Sequence, residues 1–150
     1  MKLGLQSVIC LALCVSLCSG GALAKDVNRQ EAVMGLNGLR AQHGLPPLGW
    51  SPRLEKAAWA HAKDMLRRGF FSHQGSNGSR VGDRVRKQGY SWCVVSENIA
   101  KGQPSLPTVM NSWRQSPGHR KNMLHREVRE FALVRAQGNI WVMVLARPGC

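Results

Sequence analysis

The sequence predicts a small α+β domain in which helices cover both faces of a mainly antiparallel sheet. Stretches with apolar residues at helical spacing alternate with short apolar runs, and no internal repeat or linker separates them. The last run, 140–146, is apolar on both faces, which is typical of a central strand that helices cover. Together these observations predict a three-layer α-β-α sandwich.

Amphipathic spacing predicts two long helices in the first half of the chain. The first spans 26–43. The second begins at Ser51 and Pro52, as N-cap and first helical residue, and ends at Gly69. Because His61 falls on the apolar stripe of this second helix, we expect it to be a hydrogen-bonded core histidine.

Shorter elements are predicted in the second half. The helical segments are 81–88, 109–113 and 119–124, and the strands are 93–95, 131–134 and 140–146. Ser116-Pro117-Gly118 is predicted to break the chain between the last two helical segments.

Residues 1–24 are typical of a cleavable secretion signal. Lys2 provides a positive start, an uncharged apolar stretch follows, and Ala22-Leu23-Ala24 has the small-x-small pattern of a signal peptidase site. The apolar core is too short to be a permanent membrane helix. We therefore predict residues 25–150 as a single domain, exported to the periplasm or the exterior.

Three cysteines in the signal segment, Cys10, Cys14 and Cys18, leave a lipid anchor as the alternative. Lipoprotein processing favours a small residue before the modified cysteine, but leucine precedes both Cys14 and Cys18. Cleavage after Ala24 is therefore the favoured reading, and no transmembrane segment is expected in the mature chain.

The predicted mature chain is strongly basic. Without Lys2, 20 basic residues stand against 8 acidic ones, a net charge of +12. Such a charge favours anionic surroundings, such as envelope polymers or lipid headgroups, although it also serves solubility alone. No recognition motif accompanies it, so a specific nucleic-acid role is not expected. We expect a monomer whose partner is a small ligand or an envelope component.

Two cysteines, Cys93 and Cys150, remain after cleavage. In an oxidising compartment they favour a disulfide, which would stabilise the fold by about 4 kcal/mol on the chain-entropy account. Two free thiols are the alternative.

Four polar side chains stand where helices or strands are predicted to begin or end, which is where a rigid scaffold directs groups into a cleft. They are His73, Glu97, His119 and Glu130. Arg84 and Arg120 are the cations considered as ion-pair partners of Glu97.

Several motifs occur in order along the mature chain: Asn37-x-x-Arg40, Gly44 to Leu48, Phe71-Ser72-His73, Glu97-Asn98-Ile99-Ala100, and Trp113-x-x-Ser116-Pro117-Gly118-His119-Arg120-x-Asn122. Together they resemble the CAP superfamily of cysteine-rich secretory proteins, venom antigens and plant pathogenesis-related proteins. The similarity is closest to the bacterial SCP-domain branch.

The resemblance implies an α-β-α sandwich with a cleft of two histidines and two acids. His73, Glu97 and His119 match three of these positions. Glu130 matches the place where bacterial members often carry the second acid, whereas eukaryotic members are expected to carry it nearer Trp113, where this chain has no carboxylate. Ser96 also departs from the usual glycine.

Three functions follow from these residues. The leading hypothesis is a non-enzymatic cleft that binds a divalent metal such as zinc through His73 and His119, or a small apolar or anionic ligand. A hydrolase with His119 or Glu97 as general base is the second, although Ser72 is the one local hydroxyl and no nucleophile motif is present. The third is an envelope protein that binds anionic polymer through charge. A buried structural network is the alternative to all three.

Overall fold

The computed structural model describes residues 27–150, and the predicted signal segment lies outside them. The helices of the described part are α1 (Arg29–Ala41), α2 (Pro52–Arg68), α3 (Val81–Lys87), α4 (Leu106–Gln115) and α5 (Pro117–Met123). The strands are β1 (Gly49–Trp50), β2 (Trp92–Lys101), β3 (Glu130–Ala136) and β4 (Ile140–Pro148).

The strands form one open sheet in the order β1-β3-β4-β2. The short strand β1 runs parallel to β3, and the other neighbours are antiparallel. The strand β4 lies between β3 and β2, as its apolar residues on both faces predicted. The predicted fold class, α+β with a mainly antiparallel sheet, is confirmed.

Side chains of the sheet alternate between two separate apolar clusters. The cluster beneath α2 and α3 contains Ala132, Val134, Val142 and Val144. The cluster beneath α1, α4 and α5 contains Phe131, Leu133, Trp141 and Met143. Because each face of the sheet has its own helical layer, the molecule is a three-layer sandwich.

Helix α2 has the start and end that were predicted for it. Ser51 occupies the N-cap and Pro52 the first helical position, and Gly69 ends the helix in the left-handed conformation with φ 68°. The Ser51 side chain makes no capping bond; instead its backbone N–H donates to the Phe131 carbonyl. This bond joins the start of α2 to β3.

Several boundaries differ from the prediction. Strand β2 runs to Lys101 rather than ending at residue 95, so Glu97 lies inside a strand. Pro117 does not break the chain but occupies the first turn of α5, where a proline needs no backbone N–H. The two-residue strand β1 was not predicted because it is too short to show periodicity.

The predicted disulfide is confirmed: Cys93 and Cys150 are bonded across a sequence separation of 57. It ties the start of β2 to the second residue after β4. Among residues 27–150, none of the helices has the length and apolar character needed to cross a bilayer.

Candidate functional site

The site is built around β2, where neighbouring side chains point to opposite faces of the sheet. Glu97 is 6% exposed and lies on the face of Ile99, beneath α2 and α3. Asn98 is fully buried and points toward α5. One edge strand therefore contacts the helices of both layers through adjacent residues.

The Glu97 carboxylate binds one imidazole and one guanidinium. His73 Nδ1 lies 2.8 Å from Oε1, and Arg84 Nη2 donates to Oε2 at 2.8 Å. Because an ionised carboxylate only accepts hydrogen bonds, the contact assigns the proton of His73 to Nδ1. The Nε2 lone pair of His73 is then available to a ligand.

Arg84 joins the parts of this arrangement. Besides Glu97, its guanidinium donates to the backbone carbonyls of His73 at 3.1 Å and Ser79 at 2.8 Å. It thus fixes the loop that carries His73 and the carboxylate that orients the His73 ring. Of the two cations considered as partners of Glu97, Arg84 is the one in contact, whereas Arg120 lies against His43.

His119 is held beside Glu97 by two asparagines. Asn98 donates to the His119 carbonyl at 3.1 Å. Asn122 donates to the Asn98 side chain at 2.8 Å and to the Glu97 carbonyl at 3.2 Å. The beginning of α5 is therefore clamped onto β2 next to the carboxylate.

The ring of His119 lies near that of His73. Its Nδ1 is 2.9 Å from the Ser116 hydroxyl. Burial, and secondarily the charge of His73, lower the pKa of His119. The charge of His73 therefore opposes protonation of His119.

His61 lies behind the Glu97 carboxylate. It is buried, as predicted, and its Nε2 donates to the Ser72 carbonyl at 2.8 Å and lies 3.8 Å from Glu97 Oε1. Its Nδ1 has no partner among the described residues, so only one of its nitrogens is satisfied. Burial lowers the pKa of His61, partly offset by the nearby charge of Glu97.

Glu130 lies away from the other predicted cleft residues. It begins β3, which β4 separates from β2, so the two strands are about 10 Å apart, and Glu130 is level with Val95 rather than with Glu97. Glu130 instead lines a different cavity of about 450 Å³, which includes Tyr90. Burial, and secondarily the nearby carboxylate of Glu130, raise the pKa of Tyr90.

A cavity of about 460 Å³ opens beside the carboxylate and contains His73, Gln74, Arg80, Val81 and Glu97. His73 is well exposed there, with 60% of its side-chain surface accessible. The Ser72 hydroxyl accepts a hydrogen bond from the Gln74 backbone at 3.1 Å. It is therefore turned into its own loop.

Zinc is the metal expected from two histidines and two acids. Zinc sites normally use at least three protein ligands. Among residues 27–150, no group of three or more His, Cys, Asp or Glu side chains is arranged to hold a metal. Both oxygens of Glu97 are already engaged, so His73 and His119 offer two nitrogens at most. The arrangement does not fit a tightly held zinc ion.

Arg80 is the residue that the sequence analysis missed, and Arg84 was noted only as an ion-pair partner. The signal was present in their spacing, because Arg80 and Arg84 lie four residues apart across the start of α3 and therefore share one side of it. Their contribution depends on the loop 73–80 folding back onto β2, which no local pattern indicates.

The fold and the His73–Glu97–His119 cluster define a small SCP-type α-β-α domain. The cysteine-rich secretory protein family, CAP, matches residues 35–145. The chain therefore belongs to the CAP family, and its relatives are bacterial.

Among curated relatives, the uncharacterized protein YkwD of Bacillus subtilis is 35% identical over 106 residues, which are 70% of this chain and 41% of that protein. The uncharacterized membrane protein YlbC of the same organism is 31% identical over 91 residues, 61% of this chain and 26% of its own. The chain thus spans less than half the length of these relatives.

Two solved structures share the fold. An extracellular protein of Bacillus anthracis that contains an SCP domain is 27% identical to this chain, with a TM-score of 0.75. The match covers 79% of this chain and 39% of the Bacillus anthracis chain. An outer surface protein of Borrelia burgdorferi is 21% identical to this chain, with a TM-score of 0.72. The match covers 85% of this chain and all of the Borrelia burgdorferi chain. The latter likeness concerns the fold only.

Proposed function

We propose that this chain is an exported, non-enzymatic binding domain whose cleft takes a small anionic ligand, such as a carboxylate or a phosphate monoester. The observation that carries the proposal is the contact of Arg84 with Glu97. This ion pair neutralises the acid that contacts His73, so the cleft does not present a negative charge to a cation.

The remaining groups of the cleft suit an anion. Arg80 lies in the wall of the cavity, is exposed, and forms no ion pair among the described residues. Imidazoles that carry both protons donate hydrogen bonds to an anion, and Glu97 holds the His73 ring at the cavity. The lowered pKa of His119 means that an anion would draw a proton onto this ring as it binds.

The direction of the pH dependence of binding distinguishes an anionic ligand from a divalent metal. An anion binds the protonated imidazoles, so its affinity should rise as the pH falls. A divalent metal binds deprotonated imidazole, so its affinity should rise with pH.

Titration calorimetry with methyl phosphate, acetate and zinc chloride at pH 5.5 and 7.5 tests this proposal. We expect an anion to bind more tightly at pH 5.5, and Arg80→Gln or His119→Ala to weaken it about tenfold or more. Arg86→Gln is the matched control, because it removes the same charge from the same helix outside the cavity.

The outcomes are distinguishable. If the protein binds zinc with an affinity that rises with pH, and His73→Ala abolishes this binding, the ligand of the cleft is a metal rather than an anion. Binding of neither probe, or equal loss in Arg86→Gln and Arg80→Gln, would overturn the proposal.

A hydrolase is the second candidate, and the contact of His73 with Glu97 supports it because a carboxylate on Nδ1 orients the ring with its Nε2 free to act as a general base. The hydrogen bond to Ser72 disfavours that hydroxyl as nucleophile, so water would have to attack. Turnover of peptide or peptidoglycan fragments that His73→Ala abolishes, in a variant that still folds, would establish this candidate instead.

Export is part of the proposal. Its support is the signal-like segment 1–24, the disulfide, and relatives described as extracellular or as outer surface proteins. Amino-terminal sequencing of the natural product should give Lys25. An intact Met1, or a lipid on Cys14 or Cys18, would contradict cleavage after Ala24.

A further inference from the structure

The outer face of α2 carries a stripe of positive charge. Its basic residues are all exposed and recur at helical spacing: Arg53, Lys56, Lys63 and Arg67. At 3.6 residues per turn they fall within a sector of about 80°, and at 1.5 Å per residue the stripe is about 21 Å long. It lies opposite the residues that α2 buries against the sheet.

A groove follows this stripe. Lys56, Trp59, Ala60 and Lys63 line a cavity of about 410 Å³. Ala60 also lines an adjoining cavity of about 370 Å³, whose cations include Arg67 and Lys87. Because Ala60 lines both cavities, they are neighbours on the surface of α2, and together they are here called the α2 groove.

The groove has an aromatic side. Trp59 is half-buried, and the Lys63 ammonium lies 5.3 Å from the centre of its ring. This contact holds the lysine over the indole rather than on an acid. The result is a cation fixed beside a flat apolar surface.

Two acids, Asp64 and Asp83, line the second cavity, and both are engaged, as is the nearby Glu55. Glu55 binds Arg29 at 2.9 Å, and Asp64 accepts from the Ser76 hydroxyl at 2.7 Å. Asp83 accepts from the Arg80 backbone and lies 3.7 Å from Arg86. None of the four basic residues of the stripe forms an ion pair within the described part of the chain.

We propose that the α2 groove, lined by Lys56, Trp59, Ala60, Lys63, Arg67 and Lys87, binds an extended polymer in which phosphates repeat along a polyol or sugar backbone. Several basic residues along one face match a series of phosphates along one chain. The flat surface of Trp59 suits an uncharged sugar or polyol segment between them. This inference uses none of the three cleft residues and is independent of the proposed cleft function.

A polymer fits this surface better than a bilayer does. Insertion into a membrane requires several exposed apolar side chains beside the cations. On α2 the large exposed apolar residue is Leu66, which is 39% exposed. A concave groove with polar walls instead surrounds a single extended chain.

The test measures the affinity of the full chain for a purified glycerol phosphate polymer over a series of salt concentrations. The variant Lys56→Gln/Lys63→Gln/Arg67→Gln should bind about 100-fold more weakly. The slope of log affinity against log salt should fall by about 2, because three phosphate contacts are lost. The matched control Arg114→Gln/Lys121→Gln/Arg126→Gln removes the same charge from other exposed positions and should retain most of the affinity.

His119→Ala should also bind the polymer normally, which separates this result from the cleft proposal. Equal weakening by both triple variants would mean that net charge alone acts and would overturn the site. Tighter binding to single-stranded DNA or to anionic vesicles of equal charge would overturn the proposed polymer.

Discussion

The guanidinium of Arg84 donates to the buried carboxylate of Glu97 at 2.8 Å, and the exposed fractions of the two side chains are 8% and 2%. The same carboxylate accepts from His73. An ion pair with so little access to water is costly to break from one side, because the remaining charge stays buried without its partner.

We expect Arg84→Gln to lower the free energy of unfolding by about 3–5 kcal/mol for this reason. Urea denaturation measures it. The double variant Arg84→Gln/Glu97→Gln should recover part of the loss, because no unpaired charge is left. Arg86→Gln, on the exposed side of α3, should change stability by no more than about 0.5 kcal/mol. A loss in Arg84→Gln no larger than this control would contradict the prediction.

The stability of the domain should fall in mild acid. The pKa of His61 is lowered by burial and, more weakly, by the charge of Arg84, against the opposing effect of Glu97. The pKa of a histidine in an unfolded chain is about 6.5. Below that pH the unfolded chain therefore takes up a proton that the folded chain does not bind as readily. His119 contributes with the same sign. Stability is therefore full above about pH 6.5 and is lost as the pH falls toward the lowered values.

Unfolding in urea at several pH values between 7.5 and 4.5 measures this slope. His61→Gln can still donate to the Ser72 carbonyl but does not titrate, so its stability should depend less on pH than that of the wild type. His43→Gln, an exposed site, is the control. An unchanged slope in His61→Gln would show that burial of this ring does not set the acid response.

Loss of the disulfide should destabilise the domain by about 4 kcal/mol, the chain-entropy value for a separation of 57 residues. The double variant Cys93→Ala/Cys150→Ala, compared with the oxidised protein by thermal and urea unfolding, tests this value. Addition of a reductant should lower the stability of the wild type and leave the double variant unchanged. Equal stability of the oxidised protein and the variant would refute the prediction.

Much of the fold could be predicted because it is written in local patterns. The apolar stripe of α2 and its flanking Pro52 and Gly69 define a helix without knowledge of any distant residue. The apolar run of β4 needs cover on both faces, and this alone makes it a central strand. Strand β2 was predicted too short because its second half mixes polar Ser96, Glu97 and Asn98 into the run.

The site was less predictable because long-range pairing assembles it. His73 and Glu97 were chosen by type and by resemblance, and they do touch. Glu130 was chosen in the same way, yet an intervening strand places it in another cavity. The spacing of the basic residues on α2 places them on one face of the helix. They do not form a continuous run in the sequence, so the stripe is not visible as a block of charge.

By itself, the sequence predicted the class of fold, the family, the bond between Cys93 and Cys150, and a strongly basic chain. Periodicity, composition and the order of motifs are properties of the sequence itself and do not depend on contacts between distant residues. Tertiary structure alone decided that Arg84 neutralises Glu97, that Glu130 stands apart, and that Ala60 lines two neighbouring cavities. Charges act through distance and burial, and both are fixed only when β2, α2 and α3 pack together.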